Sequence, residues 1–484
     1  MKKLLSLTII ALVALIGFAG SVNAADVSTE ADLKSAVLAD GIVTLSNDIE
    51  LTSSLEIGKN VKIDLNGNSI TAADGMTDDS LIIVLHGGTL IVEGNGSISA
   101  TNSNASARIA VKMTKAGYDT SNPATLILNS GTLEGSSFGI SGNGNPDRVN
   151  TSITIDGGNV EGGATGIYHP QEGTLTINEG TVKGSTGIEM RSGALAVYGG
   201  TIIGTGAPTD VTPNGNGTTT DGAGIAIAQH TTEKDIDVVI EGGNVQGYSA
   251  LYESNPQSNA SMDKVSIEIN GGEFEAINGG KLAIYSEDKK DFITGGSFNS
   301  DVSAYADSSL EIVEDEDGNF YVGELHTITV EETENGKAEA SLAEAVAGQK
   351  VELTITPDEG YEVGLVTFNF GGFGFTIDGD EFENEFTMED ADVVISVEFE
   401  KIEEEEDEVI TPEDPKDDEL VGGPNDGEEE PEDEKDEVEE PEDEKDEEKD
   451  DTPKTGSIDM VVYVSAIVAV IALAGIVIVK RYTK

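Results

Sequence analysis

Between residues 25 and 323 one short phrase recurs, and it leaves the chain few ways to fold. Thr125-Leu-Ile-Leu-Asn-Ser-Gly-Thr-Leu-Glu-Gly135 and Ser152-Ile-Thr-Ile-Asp-Gly-Gly-Asn-Val-Glu-Gly162 share an alternating apolar strand, a glycine turn, a second short strand and another glycine. Thr174 to Gly184, Asp237 to Gly247 and Ser266 to Phe274 repeat it. The central glycine falls at 131, 158, 180, 200, 243, 272 and 296, and one long interval holds an insertion from Pro213 to Gly224. The step, roughly 20 to 29 residues, is a solenoid period. Strands this short are unstable alone, but stacking coil on coil pairs each with its copy above and below. The expected fold is all-β, a parallel β-helix with Leu126, Ile153, Leu175, Val239 and Ile267 forming inward ladders. The central glycines are expected at corners that need positive φ. A two-sheet sandwich is the other all-β arrangement open to strands of this length.

Just before the repeats, Thr29 to Asp40 reads as an amphipathic helix. Thr29 can cap it, Asp32 stands three residues on, and Leu33, Ala36 and Val37 share a face. Such a helix would plug the open end of a solenoid, whose bare strand edges invite aggregation. With Val43-Thr-Leu-Ser-Asn-Asp-Ile-Glu50 and Val61-Lys-Ile-Asp-Leu-Asn-Gly67 following it, the segment resembles the start of pectate-lyase-like right-handed β-helix domains. That resemblance implies the fold of residues 25–323 and no particular chemistry.

Residues 324–400 change character. Alternating Val351, Leu353 and Ile355 predict a half-buried strand. The run Thr356-Pro-Asp-Glu-Gly-Tyr361 and the ending Phe386-Thr-Met-Glu-Asp-Ala-Asp-Val393 resemble the divergent internalin-type B repeat of bacterial surface proteins. The resemblance implies a small β-rich, β-grasp-like module serving as a stalk or adhesive unit.

The two ends carry addresses. Lys2 and Lys3 precede an apolar stretch from Leu4 to about Phe18, and Val22-Asn-Ala24 offers a small-residue cleavage site. Residues 1–24 therefore read as a secretory signal peptide, cut between Ala24 and Ala25. At the other end stand Thr452, Pro453, Lys454, Thr455 and Gly456, an apolar run from Ile458 to Val479, and a basic tail from Lys480. The apolar run, about 33 Å of helix, is long enough to cross a hydrocarbon core. Its basic tail fits a cytoplasmic C-terminus. Residues 452–484 resemble the LPXTG-type sorting signal of Gram-positive cell-wall proteins, with Thr452 where that family has Leu. The resemblance implies cleavage by a sortase after Thr455, covalent attachment of Thr455 to peptidoglycan, and membrane insertion only before sorting. An ordinary C-terminal membrane anchor is the alternative.

Residues 401–451 are mostly Glu and Asp with scattered Pro and Lys, including near-copies at Pro431–Asp436 and Pro441–Asp446. They offer almost no apolar surface to bury, so a disordered spacer extended by self-repulsion is expected; a divalent-cation-binding tail is the other reading. The net charge of −65 argues against nucleic acid as a partner. The absence of Cys rules out disulfides, thiolate metal sites and cysteine nucleophiles.

No pair of carboxylates at a spacing suited to acid–base work stands out, and no metal or cofactor is implied. Asp78-Asp79 follows Gly75-Met-Thr77 in what reads as a turn, where solvated carboxylates are ordinary. One arrangement points to binding. Tyr168-His169-Pro170, Glu189-Met190-Arg191, Ala228-Gln229-His230 and Tyr252-Glu253-Ser254 stand at comparable places in successive coils. Stacked in register, Tyr168, His169, Arg191, Gln229, His230, Tyr252 and Glu253 would line an outward groove of aromatic plates and planar hydrogen-bonding groups, as sugar sites use. The function expected is a wall-anchored adhesin or glycan-binding protein meeting extracellular glycans or host surface ligands. A polysaccharide lyase or glycoside hydrolase and a purely structural stalk are the alternatives.

Overall fold

A computed structural model describes residues 23–208 and 219–402, all within one compact unit, Met1–Glu405. Residues 1–22 of the expected signal peptide, half of the Pro213–Gly224 insertion, nearly all of the acidic stretch and the whole expected sorting signal lie outside the described residues. Among the described residues 51% are strand and 4% helix. No described helix is long and apolar enough to cross a membrane.

Residues 23–323 form stacked coils. Ten strands make the first sheet, in chain order: Asn23–Val27, Gly41–Leu45, Asn60–Asp64, Thr89–Glu93, Ala124–Leu128, Thr151–Ile155, Gly173–Ile177, Gly193–Val197, Ile236–Ile240 and Val265–Ile269. Each pairs in parallel with the strand one coil earlier and one coil later. One inward ladder runs Leu90, Leu126, Ile153, Leu175, Leu195, Val238, Ile267, all buried. The expected ladder is thus present with one correction. Val239 is half-buried, opposite Ala196 and Glu268, and Val238 takes the inward place. A step of one residue reverses the face on which a strand residue points.

The second sheet receives two short strands from most coils, for example Thr132–Gly135 and Phe138–Ser141. In two coils they merge into single long strands, Asn159–His169 and Thr181–Met190, with a break in register between Gly162 and Thr165. The corners between the sheets carry the repeating glycines. Gly158 has φ +73° and Gly180 φ +83°. A Cβ on Gly158 would stand 2.5 Å from the Gly131 carbonyl oxygen, and one on Gly180 2.6 Å from that of Gly158. Both the backbone angle and the neighbouring coil therefore exclude a side chain.

Both ends of the stack are closed. The N-terminal helix is shorter than expected, Glu30–Ala36, but capped as expected: the Thr29 hydroxyl oxygen accepts from the Asp32 N–H at 3.2 Å and donates to the Asp32 carboxylate at 2.7 Å. Leu33 and Val37 pack into the core. Strand Asn23–Val27 joins the first sheet, so the expected cleavage after Ala24 would leave Ala25, Asp26 and Val27 of it. At the far end the pairing turns antiparallel through Ser297–Phe298, Glu311–Glu314 and Phe320–Gly323. There Phe298 stacks on Phe274 with ring centroids 5.1 Å apart.

Residues 326–401 build a separate core. Strands Glu344–Ala345, His326–Val330, Val393–Lys401, Tyr361–Phe370 and Phe373–Asp378 form one sheet. Gly336–Ala340, Lys350–Pro357 and Glu385–Thr387 form another. Val351, Leu353, Phe368, Phe386 and Ile395 are buried between them, and alternation at Val351 and Leu353 is as the sequence predicts.

The ladder assignment is directly testable. Val238→Asp would place a carboxylate in the core, costing several kcal/mol, whereas Val239→Asp would cost less than about 1 kcal/mol. Urea denaturation of the two variants should separate them clearly. Equal losses would place the inward register elsewhere.

Candidate functional site

The second strand of each coil carries one column of side chains facing away from the core. Pairing sets its order: Glu56, Ile83, Lys112, Ser141, Tyr168, Glu189, Ala226, Tyr252, Tyr285. Eight steps at strand spacing make a line about 38 Å long. Tyr168, Glu189 and Tyr252 do share this column, as expected from the sequence. The column is accessible at both ends and closed in the middle, where Ser141, Tyr168, Glu189 and Ala226 are buried.

This burial corrects the expected groove. Of its seven residues, Tyr168, His169, Arg191, Gln229 and Glu253 are buried, and only His230 and Tyr252 keep substantial exposure. His169 and Glu253 stand on the inward side of their strands, in one row with Met190, Ile227 and Ser286. They are tolerated there because the row ends at a turn that supplies polar partners. His169 Nδ1 lies 3.0 Å from the Ser192 carbonyl oxygen. Glu253 Oε2 accepts from Ser286 Oγ at 2.6 Å and from the N–H groups of Glu287 and Asp288, each at 3.1 Å. Gln229 and His230 lie beyond the strand Ala223–Ile227. Gln229 Nε2 donates to the Lys234 carbonyl at 2.9 Å and its Oε1 accepts from Asn259 at 3.1 Å, joining two loops. His230 Nδ1 accepts from the Thr232 N–H at 3.2 Å within its own turn.

Two clefts occupy the open ends of the column. The C-terminal one, about 220 Å³, is lined by Tyr248, Tyr252, Tyr285, Lys281 and Leu282, with Pro208 and Thr220 at its edge. Tyr252 and Tyr285 stack at 4.9 Å with 17° between ring planes. Burial, with Tyr285 and Glu287 nearby, raises the Tyr252 phenol, which keeps it a hydrogen-bond donor. Sequence reasoning found Tyr252 and missed Tyr248 and Tyr285. The signal for Tyr285 was present, since Ile284-Tyr285-Ser286 repeats the apolar–Tyr–polar order of Leu251-Tyr252-Glu253.

The N-terminal cleft, about 370 Å³, is charged: Glu56, Asp78 and Asp79 face Lys112, Lys115 and Arg148. Asp78 and Asp79 are therefore more than solvated turn residues. Asp78 accepts from the Ser54 N–H at 2.8 Å, and Asp79 pairs with Lys112 at 2.5 Å. Lys115 pairs with Glu56 at 2.5 Å. Among the described residues no group of three or more His, Asp or Glu side chains is placed to hold a metal ion.

Residues 326–403 match the family model of the divergent InlB B-repeat domain, a repeat family of surface proteins. No similar curated protein and no similar solved structure was found.

Two buried groups, Glu189 in the column and His169 on the inward row beside it, have their own electrostatics. Burial pushes the Glu189 carboxyl up to about 7, against its hydrogen bonds from Thr219 and the charge of Arg191. Burial also pushes the His169 imidazole down to about 4, against its bond to Ser192. Between pH 4.5 and 7 native Glu189 holds a proton that the unfolded chain releases, so its contribution falls as pH rises. Between pH 4 and 6.5 the unfolded chain binds a proton at His169 that the native state refuses, so this contribution rises with pH. Each effect is on the order of 3 kcal/mol and they oppose. Relative to wild type, Glu189→Gln should gain stability as pH rises across this range, and His169→Gln should lose it. Denaturation midpoints from pH 4 to 7 would check the pair, and parallel profiles for all three proteins would contradict it.

Proposed function

We propose that the protein is a Gram-positive cell-wall-anchored surface protein that binds extracellular glycans along its stacked coils. In this reading the coils are a right-handed, pectate-lyase-like β-helix. The InlB-type repeat and the acidic stretch hold it away from the wall, and a sortase joins Thr455 to peptidoglycan. The family match at residues 326–403 supports surface display. The single observation behind glycan binding is the cleft of Tyr248, Tyr252 and Tyr285. Stacked rings give a sugar's apolar face a plate, while the phenols and Lys281 offer donors at its rim.

Two experiments test this. Thr455→Ala should shift the protein from the covalently bound wall fraction to membrane or medium; firm retention on purified peptidoglycan would refute the sorting reading. A glycan array, followed by turnover assays on the hits, tests the rest. Tyr252→Ala with Tyr285→Ala should weaken any ligand by roughly tenfold or more, each ring contributing on the order of 1 to 2 kcal/mol. Unchanged affinity would move the site away from this cleft, and product release would make the protein a lyase or hydrolase instead of a binder.

A further inference from the structure

The charged cleft at the N-terminal end of the column holds an unexplained residue. Thr114 is fully buried and lines the cleft, yet its hydroxyl makes no hydrogen bond. Its φ is +72°, and it is the only β-branched residue among those described with a left-handed backbone. That conformation is costly for a β-branched side chain and is characteristic of sites that hold something in place. A buried hydroxyl without a partner adds a second penalty. Arg148 stands beside it with little exposure, and its contacts are long: Nη1 to the Thr114 carbonyl at 3.4 Å and Nε to Asp147 at 3.4 Å.

The arrangement of charge selects the ligand. One pair, Glu56–Lys115, and a second, Asp79–Lys112, flank Ile83, the column residue between Glu56 and Lys112. A simple anion entering here would draw the lysines away and leave two carboxylates beside its own charge. A simple cation would do the reverse to Lys112, Lys115 and Arg148. A ligand bearing both signs brings one group of each charge and leaves the cleft's charge balance unchanged. Its net neutrality also spares it the repulsion that a chain of net charge −65 exerts on anions.

We propose that this cleft binds a zwitterion, a ligand with an ammonium and a carboxylate a few bonds apart. The ammonium lies against Asp78 and Asp79, and the carboxylate against Lys115 and Arg148. The Thr114 hydroxyl supplies the remaining hydrogen bond. Such a head group occurs on sugars that carry both an amine and an acid, and on free amino acids. The site is separate from the aromatic cleft and stands without it.

Isothermal titration of the full chain with four probes tests the assignment: 2-amino-2-deoxyglucuronate, glucuronate, glucosamine and glycine. The aminouronate should bind at least tenfold more tightly than glucuronate or glucosamine, with little dependence on salt. Glycine binding as tightly would assign the site to the amino-acid head; weaker glycine binding would assign it to the sugar. Glucuronate or glucosamine binding as well as the aminouronate would overturn the proposal, as would no binding of any probe. Thr114→Gly removes the hydroxyl and relieves the backbone, so it should weaken the aminouronate at least fivefold without lowering Tm. Arg148→Gln should weaken it comparably. A Thr114→Gly protein with lowered Tm and unchanged affinity would make Thr114 a purely structural residue and sink the idea.

Discussion

Where a glycine of one coil would carry a Cβ, the carbonyl oxygen of the preceding coil's glycine already stands. The contact recurs from Gly131 to Gly158, Gly180 and Gly200, at 2.5, 2.6 and 2.7 Å. Each corner thus fixes the height and phase of the next, and the first-sheet strands that lead into these corners keep unbroken parallel register. Without that phase the inward ladder would slip to the solvent side, and no outward column would exist to carry a site. The interaction is repulsive in character, an exclusion of side chains, yet it positions everything that the attractive terms then hold.

This explains how the sequence could be read and where the reading slipped. Counting back five residues from Gly131, Gly158, Gly180, Gly200, Gly243 and Gly272 gives Leu126, Ile153, Leu175, Leu195, Val238 and Ile267, the observed ladder. Val239 lies four residues from its glycine, and two adjacent valines concealed the phase. Counting forward fails for a physical reason. Tyr168 lies ten residues after Gly158, Glu189 nine after Gly180 and Tyr285 thirteen after Gly272, although all share one column. The link between the two outer strands varies in length, absorbed once by the break between Gly162 and Thr165 and elsewhere by open turns. Strand register beyond a variable link is set by hydrogen bonding between coils, which spacing from the glycine does not encode. Gln229 and His230 were misplaced on that account, two and three residues beyond the end of the strand Ala223–Ile227.

Alternation, by contrast, was decisive and legible. If Tyr168 and Tyr252 face outward, His169 and Glu253 must face inward by the two-residue period of a strand. Their polarity disguised this. At the end of a strand a polar side chain can turn to the backbone of the next bend, as Glu253 does with Glu287 and Asp288, and the cost of burial is offset by hydrogen bonds. Polar character therefore distinguishes inside from outside poorly at the margins of a solenoid, and well along its ladders.

The two clefts differ in chemistry because they occupy different coils of an architecture in which each coil touches only its neighbours. From Lys112 to Tyr252 the column takes five steps, about 24 Å at strand spacing. Between them lie the buried Ser141, Tyr168, Glu189 and Ala226. A small ligand at one cleft has no contact through which to influence the other, and substitutions at the two should add independently. A polymer lying along the column meets a different condition. Held at both ends, it would gain from the second contact by effective concentration, provided its length matched the separation. The stacking that places both clefts on one line thus makes their spacing, rather than either cleft alone, the feature that would distinguish a long ligand from a short one.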